Sequence, residues 1–115
     1  MHKLYVIINR MELIERRRDN ELEVTVKGRL DTNTAPELEK YINENFLNVA
    51  VVIRSNLIID LSCVNYISSA GVRVIIATYK GSLARNLKLF IKKPSDFCKQ
   101  VFDTIGIANY LTYIK

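Results

Sequence analysis

The order of apolar patterns in this chain predicts an α/β domain, with three to four helices packed on a mixed sheet of four to five strands. Three observations lead there. Residues 21–28, ELEVTVKG, alternate apolar and polar side chains with the period of a strand. Residues 57–61, LIIDL, form a short and nearly unbroken apolar run, the pattern of a strand buried on both faces. Stretches with apolar residues three and four apart then alternate with further strand-like runs, as β-α-β units require.

A chain of 115 residues holds one core, so a single domain over 1–115 is expected, with residues 1–10 as an additional apolar segment. The apolar run in MHKLYVIINR spans only Leu4 to Ile8, too short for a membrane span, and an extended strand or a short apolar arm accounts for it. Residues 11–17 and 21–27 read as two strands joined at Asp19-Asn20, a hairpin turn signal. Leu22, Val24 and Val26 mark the buried face of the second strand.

A helix over 34–47 follows. Thr34-Ala35-Pro36-Glu37 has the form of a capping box, in which the Thr34 oxygen accepts the Glu37 amide proton and the Glu37 carboxylate reaches back. Pro36 is tolerated in the first turn, where amides have no intrahelical partner. Leu38, Tyr41, Ile42 and Phe46 recur at helical spacing. Val49 to Ile53 either extends this helix or connects as extended chain, and the sequence leaves both open.

After the strand at 57–61, a helix is expected over 69–84, with Val72, Ile76, Tyr79 and Leu83 as its apolar stripe. The β-branched Val72, Val74, Ile75 and Ile76 oppose it, but the length of the periodic stretch and its Ser-rich start decide for helix. Gly81 inside it costs about 1 kcal/mol relative to Ala. A strand at 87–91 and a helix at 95–105 come next, the helix capped by Ser95 and Gly106, with Phe97, Val101 and Ile105 facing inward. Residues 110–114 add a terminal strand, and the later β-α-β units are expected to be right-handed crossovers between parallel neighbours.

Composition narrows the function classes. Cys63 and Cys98 lack metal-ligand spacing and His2 is the only histidine, so neither a metal nor a cofactor is expected. Two separate thiols suit a reducing cytoplasm and are expected to be free. The formal charge of +5 is scattered, with clusters only at Arg16-Arg17-Arg18 and Lys92-Lys93 and no aromatic interleaving, which argues against direct nucleic-acid binding. No membrane association is expected. A serine hydrolase needs a base beside its nucleophile, and neither a well-placed histidine nor a GxSxG elbow is present, so the chain is read as a binding module and not an enzyme.

Three segments carry more information: GRLDTNTA at Gly28–Ala35, IIDLSCVNYISSAGVRVI at Ile58–Ile75, and Val101-Phe102 with Gly106-Ile107. Taken together, over residues from about 12 to 114, they resemble the STAS domain, shared by sulfate transporters and anti-sigma factor antagonists. The middle segment is the specific one, and the short chain resembles the antagonist branch. The resemblance implies a single STAS-like domain that binds an anti-sigma factor, often a serine kinase, when unphosphorylated, releases a sigma factor, and is switched off by phosphorylation. It implies a phosphoacceptor at Ser69, with Ser68 as the alternative, because this chain has Ser68 where the family often has an acidic residue.

The partner-binding residues it implies are Asp31, Ser68, Ser69, Ala70, Gly71 and Arg73. A phosphate at a helix start is stabilised by unpaired amides and the helix dipole. Arg73 lies one turn on to pair with it. Gly71 is expected to keep the surface low around the hydroxyl. Capping alone explains either serine, and turn preference alone explains Asp31. Asp60, within the apolar run, is expected to bond nearby backbone. Monomer or weak dimer is the expected state. The competing reading is a scaffold or structural STAS subunit of a stress-signalling or lipid-transport complex, without a phosphoswitch.

Overall fold

A computed structural model describes residues 11–49 and 54–115, together with the backbone of 2–8. Six strands form one sheet in sequence order: β1 (His2–Ile8), β2 (Met11–Arg18), β3 (Glu21–Leu30), β4 (Asn56–Ile67), β5 (Leu89–Lys92) and β6 (Tyr113–Ile114). β1 to β3 are antiparallel neighbours and β3 to β6 are parallel, which gives the mixed sheet expected. The apolar N-terminal segment supplies the additional edge strand, pairing His2 to Ile8 against Arg17 to Met11. The chain turns at Asp19-Asn20 between β2 and β3, as the sequence predicts. Of the run Val49 to Ile53, all but Val49 lies outside the described residues.

The helices fill the parallel crossovers: α1 (Ala35–Ile42), α2 (Ser69–Ala84) and α3 (Asp96–Ile105). α1 continues as a π-helical turn at Asn43–Leu47, closed by the Asn48 amide on the Asn43 carbonyl at 2.8 Å, and this places Phe46 in the core. Alternation puts Leu13, Leu22, Val24, Leu57, Ile59 and Ile91 into one cluster with Leu38, Phe46 and Ile75. A buried Glu15 ties β2 to α1: it accepts from the Tyr41 hydroxyl and from Arg17 Nε at 3.0 Å, while Arg17 also donates to Asn45 at 3.1 Å. Burial, together with the Glu15 carboxylate, pushes the Tyr41 phenol well above its ordinary range.

The structure departs from the sequence reading in the length of β4, the faces of α2 and α3 and the cap of α1, and β6 is only Tyr113–Ile114, with a 3-10 turn at Ala108–Tyr110 where the expected strand would begin. β4 runs to Ile67, well beyond the apolar run at 57–61. Two register shifts against β3, at Thr25/Lys27 and Gly28/Arg29, rotate its side chains so that Leu61, Val64 and Ile67 are buried, which breaks the period-two signal. In α2 the buried face is Gly71, Val72, Val74, Ile75, Thr78 and Ser82, whereas Ile76 and Tyr79 are half-buried and Leu83 is 58% exposed. Thr78 and Ser82 can be buried because their hydroxyls donate to the carbonyls of Val74 and Tyr79, both at 2.7 Å. Counting only large apolar residues therefore rotates the predicted stripe.

In α3 the inward residues are Cys98 and Phe102, while Phe97 and Ile105 are 39% and 50% exposed. Ser95 sets this rotation by pinning the helix start to β4. Its hydroxyl donates to the Val64 carbonyl at 2.7 Å and accepts from the Cys98 amide at 3.2 Å. Gly106 closes the helix in the left-handed conformation, at φ 87°. Finally, the capping box at Thr34 does not form: Thr34 is the N-cap residue of α1 but makes no side-chain cap bond. Its hydroxyl is taken up by the turn before the helix, donating to the Arg29 carbonyl at 2.8 Å and accepting from the Asp31 amide at 2.9 Å.

Candidate functional site

The end of β3, the end of β4 and the start of α2 meet at one pole of the domain. Gly28 adopts φ 110°, a conformation that side chains disfavour, beside the second register shift. Beyond it Leu30 pairs with Ile67, and the Leu30 carbonyl accepts the Ser68 amide at 2.9 Å. That bond latches the Asp31 turn to the first residues of α2.

Asp31 organises its own turn. Its Oδ1 accepts from the amides of Asn33 at 3.0 Å and Thr34 at 3.2 Å, and Oδ2 lies 3.5 Å from Arg29 Nε. Desolvation works against ionisation, but the amides of Thr34 and Asn33 and the Arg29 guanidinium outweigh it, so the carboxyl sits below its ordinary value. The turn role and the place beside the serines thus hold together. Asp60 bonds the nearby backbone, accepting from the Ser62 amide at 2.9 Å and the Ser62 hydroxyl at 2.7 Å.

The two adjacent serines differ. Ser68 is the N-cap of α2, in extended conformation, with its oxygen accepting from the Gly71 amide at 3.5 Å. Ser69 is the first helical residue, exposed, and its hydroxyl has no hydrogen-bond partner among the described residues. Ala70 is half-buried, and Arg73, exposed one turn along, makes no ion pair among the described residues.

Gly71 does not have the surface role expected of it. It is buried, and a Cβ there would lie 2.8 Å from the Leu30 carbonyl oxygen and 2.8 Å from Ile67 Cγ1. Glycine is required because α2 seats directly on the end of β3. The small residue serves packing beneath the serine, not access above it.

Sequence reasoning missed a stack beside these residues. The Arg29 guanidinium lies 4.1 Å from the Tyr66 ring centroid, and Tyr66 packs on Phe97 with centroids 5.5 Å apart. Arg29 faces Tyr66 across β3 and β4 only because of the two register shifts, whose one trace in the sequence is Gly28 inside a strand pattern. Among the described residues, no cluster of His, Cys, Asp or Glu could hold a metal ion, and no helix is long and apolar enough to cross a membrane.

Known proteins share this fold. The anti-sigma-B factor antagonist of Listeria monocytogenes is 27% identical over 101 residues, covering 88% of this chain and 84% of its own. The anti-sigma factor antagonist SpoIIAA, solved in its unphosphorylated form, superposes with a TM-score of 0.72 at 16% identity, covering 91% of this chain and 88% of that one. The phosphorylated form of SpoIIAA from Bacillus gives 0.70 at 15% identity, covering 91% of both chains. At such identities these two structures establish the shared fold. The STAS domain family model matches residues 12–114, and the chain belongs to the STAS domain family.

Proposed function

We propose that this chain is an anti-sigma factor antagonist: unphosphorylated, it docks on an anti-sigma factor that is a serine kinase and so frees a sigma factor, and phosphorylation of Ser69 ends the contact. The observation that carries this reading is the division of labour between adjacent serines. Ser68 caps α2 through a long bond from the Gly71 amide at 3.5 Å, whereas Ser69 presents an exposed hydroxyl at the helix start with no hydrogen-bond partner among the described residues.

The relative named an anti-sigma-B factor antagonist supports the partner class, and the solved phosphorylated form of a protein with this fold supports the switch. The kinase supplies ATP. The bond from Ser69 Oγ to the γ-phosphorus forms as the bond from that phosphorus to the β,γ-bridging oxygen breaks, ADP leaves, and the hydroxyl proton passes to a base of the kinase. The chain acts as substrate and binding partner, in the cytoplasm, as a monomer or weak dimer.

The physical effect follows from charge. A phosphoserine brings about −1.5 to −2 charges and three acceptor oxygens. At the start of α2 the helix dipole, free amides and Arg73 tolerate that anion, so the domain stays folded. In a docked interface shaped for a hydroxyl the same group must be desolvated next to the Asp31 turn. A penalty of about 3 kcal/mol is roughly a hundredfold in affinity. Calorimetric titration of the kinase against wild type, Ser69→Ala and Ser69→Asp tests this, with thermal melts in parallel. Tight binding by the first two and about a hundredfold loss for Ser69→Asp, at similar melting temperatures, is expected. Equal affinities across all three would remove Ser69 from the mechanism and favour a scaffold subunit.

A further inference from the structure

We propose that the Arg29–Tyr66–Phe97 stack is the anchor by which this chain holds its anti-sigma factor kinase, so that affinity lies in the stack and the switch at Ser69; this rests on the antagonist reading. The stack is built before any partner arrives. Gly28 and the two register shifts bring Arg29 opposite Tyr66, with the guanidinium 4.1 Å from the ring centroid. Phe97 is placed from the other side. The Ser95 hydroxyl donates to the Val64 carbonyl at 2.7 Å, and the Ser95 amide to the Leu61 carbonyl at 3.2 Å. Those bonds fix the start of α3 on β4, with the Phe97 ring centroid 5.5 Å from that of Tyr66. The outer members of the stack stand in solvent, the Arg29 side chain 60% exposed and Phe97 39% exposed.

Position selects the occupant. Tyr66 and Ser69 are three residues apart, at most about 11 Å along even a fully extended chain. Arg29 Nε lies 3.5 Å from Asp31 Oδ2, and the carbonyl of Leu30 between them takes the Ser68 amide at 2.9 Å. A specific interface covers about 800 Å² on each partner, a patch roughly 30 Å across. A kinase that docks on Ser69 through such a patch reaches the stack at the same pole. The stack also has the composition of an anchor, since Arg and Tyr are among the residues that dominate binding energy. Held in place already, it loses little side-chain freedom on docking. Ser69, Ala70 and the buried Gly71 offer a hydroxyl, a methyl and no side chain, too little to hold a partner by themselves. The kinase surface that fits is a carboxylate beside an apolar side chain. Arg29 Nη1 and Nη2 make no hydrogen bond among the described residues and would donate to the carboxylate, while the apolar side chain would cover Phe97.

Steady-state phosphorylation of the full chain by the purified kinase with ATP separates anchor from switch. Binding lost equally in the ground state and the transition state raises KM and leaves kcat alone. Arg29→Ala and Phe97→Ser should each raise the KM for the chain about tenfold, with kcat within about twofold of wild type. Tyr66→Phe, which keeps the ring, should behave as wild type. So should Leu83→Ser, whose exposed side chain lies fourteen residues along α2 from Ser69, about 21 Å by helical rise. Melting curves accompany every variant. Arg29→Lys keeps the stem and the charge without the planar fork; it should raise KM as well, and it stands in if Arg29→Ala melts early. Wild-type KM in the Arg29 and Phe97 variants, or an equal rise in Leu83→Ser, overturns the proposal and leaves the Ser69 switch intact. A fall in kcat at unchanged KM also overturns it, because the stack would then act in the chemistry and not in docking. Failure of the kinase to bind or phosphorylate wild type would overturn the antagonist reading, and the anchor with it.

Discussion

The two ends of α2 differ in how they are held and in what they expose. At its N-terminal end the helix is locked to the sheet through backbone: Leu30 accepts the Ser68 amide, Gly71 admits no side chain, and the Asp31 turn is closed by its own hydrogen bonds. Ser69 is exposed there, and its hydroxyl has no hydrogen-bond partner among the described residues. At the C-terminal end the Leu87 amide closes on the Ser82 carbonyl at 2.9 Å and Arg85 donates to the Leu47 carbonyl at 2.7 Å, while Leu83 and Tyr110 stand exposed with Lys88 beside them. A switch that reads one phosphate needs a fixed frame, because only a rigid surface turns a local charge into a large loss of fit.

Two glycines in the same helix offer the sharpest way to break this comparison. Gly71→Ala puts a Cβ 2.8 Å from the Leu30 carbonyl oxygen, a backbone atom that cannot move without shifting β3. A loss of about 1–3 kcal/mol is expected, the usual cost of overpacking, and Gly71→Leu should cost more. Gly81→Ala would meet the terminal methyls of half-buried Leu47 at 3.0 Å, which can give way, and Arg85 Nη1 at an ordinary 3.5 Å. The helix-propensity gain of about 1 kcal/mol then makes that change neutral or stabilising. Denaturant melts of both variants check it, and equal losses would erase the difference between the two ends.

A smaller contrast separates the adjacent serines. Ser68→Ala removes the cap and should cost about 0.5–1 kcal/mol, at the low end for an N-cap because the bond to Gly71 is long. Ser69→Ala removes an unpartnered hydroxyl and should stay within about 0.5 kcal/mol of wild type. The phosphorylation readout should run the other way, with incorporation abolished in Ser69→Ala and retained in Ser68→Ala. Mass mapping after incubation with the kinase decides this, and phosphate on Ser68 would move the switch by one residue.

These contrasts also mark what the sequence made legible. The α/β class, the three helices, the Ser95 and Gly106 caps and the position of the serines follow from periodicity and capping chemistry, which act locally. The faces of α2 and α3 were misread because burial there is decided by hydroxyls satisfied within the helix and by the Ser95 anchor on Val64. Gly71 was read as a surface residue because its neighbour is the Leu30 carbonyl, more than forty positions away and brought close only by a parallel pairing. The Arg29–Tyr66–Phe97 stack was hidden for the same reason: register shifts in a strand leave no periodic trace.

The smallest expected effect concerns the Asp31 turn. Its carboxyl is held below the ordinary value of 3.8 by the Thr34 and Asn33 amides and Arg29, against desolvation. A group whose folded pKa is depressed contributes stability that is fully present above its unfolded pKa and is lost as pH falls through the folded one. Wild type should therefore show no contribution from Asp31 to pH dependence between about pH 5 and 8, and a slight extra loss of stability below about pH 4. Asp31→Asn keeps an oxygen acceptor for the two amides but removes the charge, so that acid-side loss should shrink while the fold persists. Leu83→Ser, at the other end of α2, should leave the acid limb as it is in wild type. Melting temperatures between pH 2.5 and 7 for the three proteins check this. An Asp31→Asn profile parallel to wild type would mean that the turn is held by the Leu30–Ser68 latch and the Thr34 hydroxyl alone. The charge of Asp31 would then be left free for a partner to use.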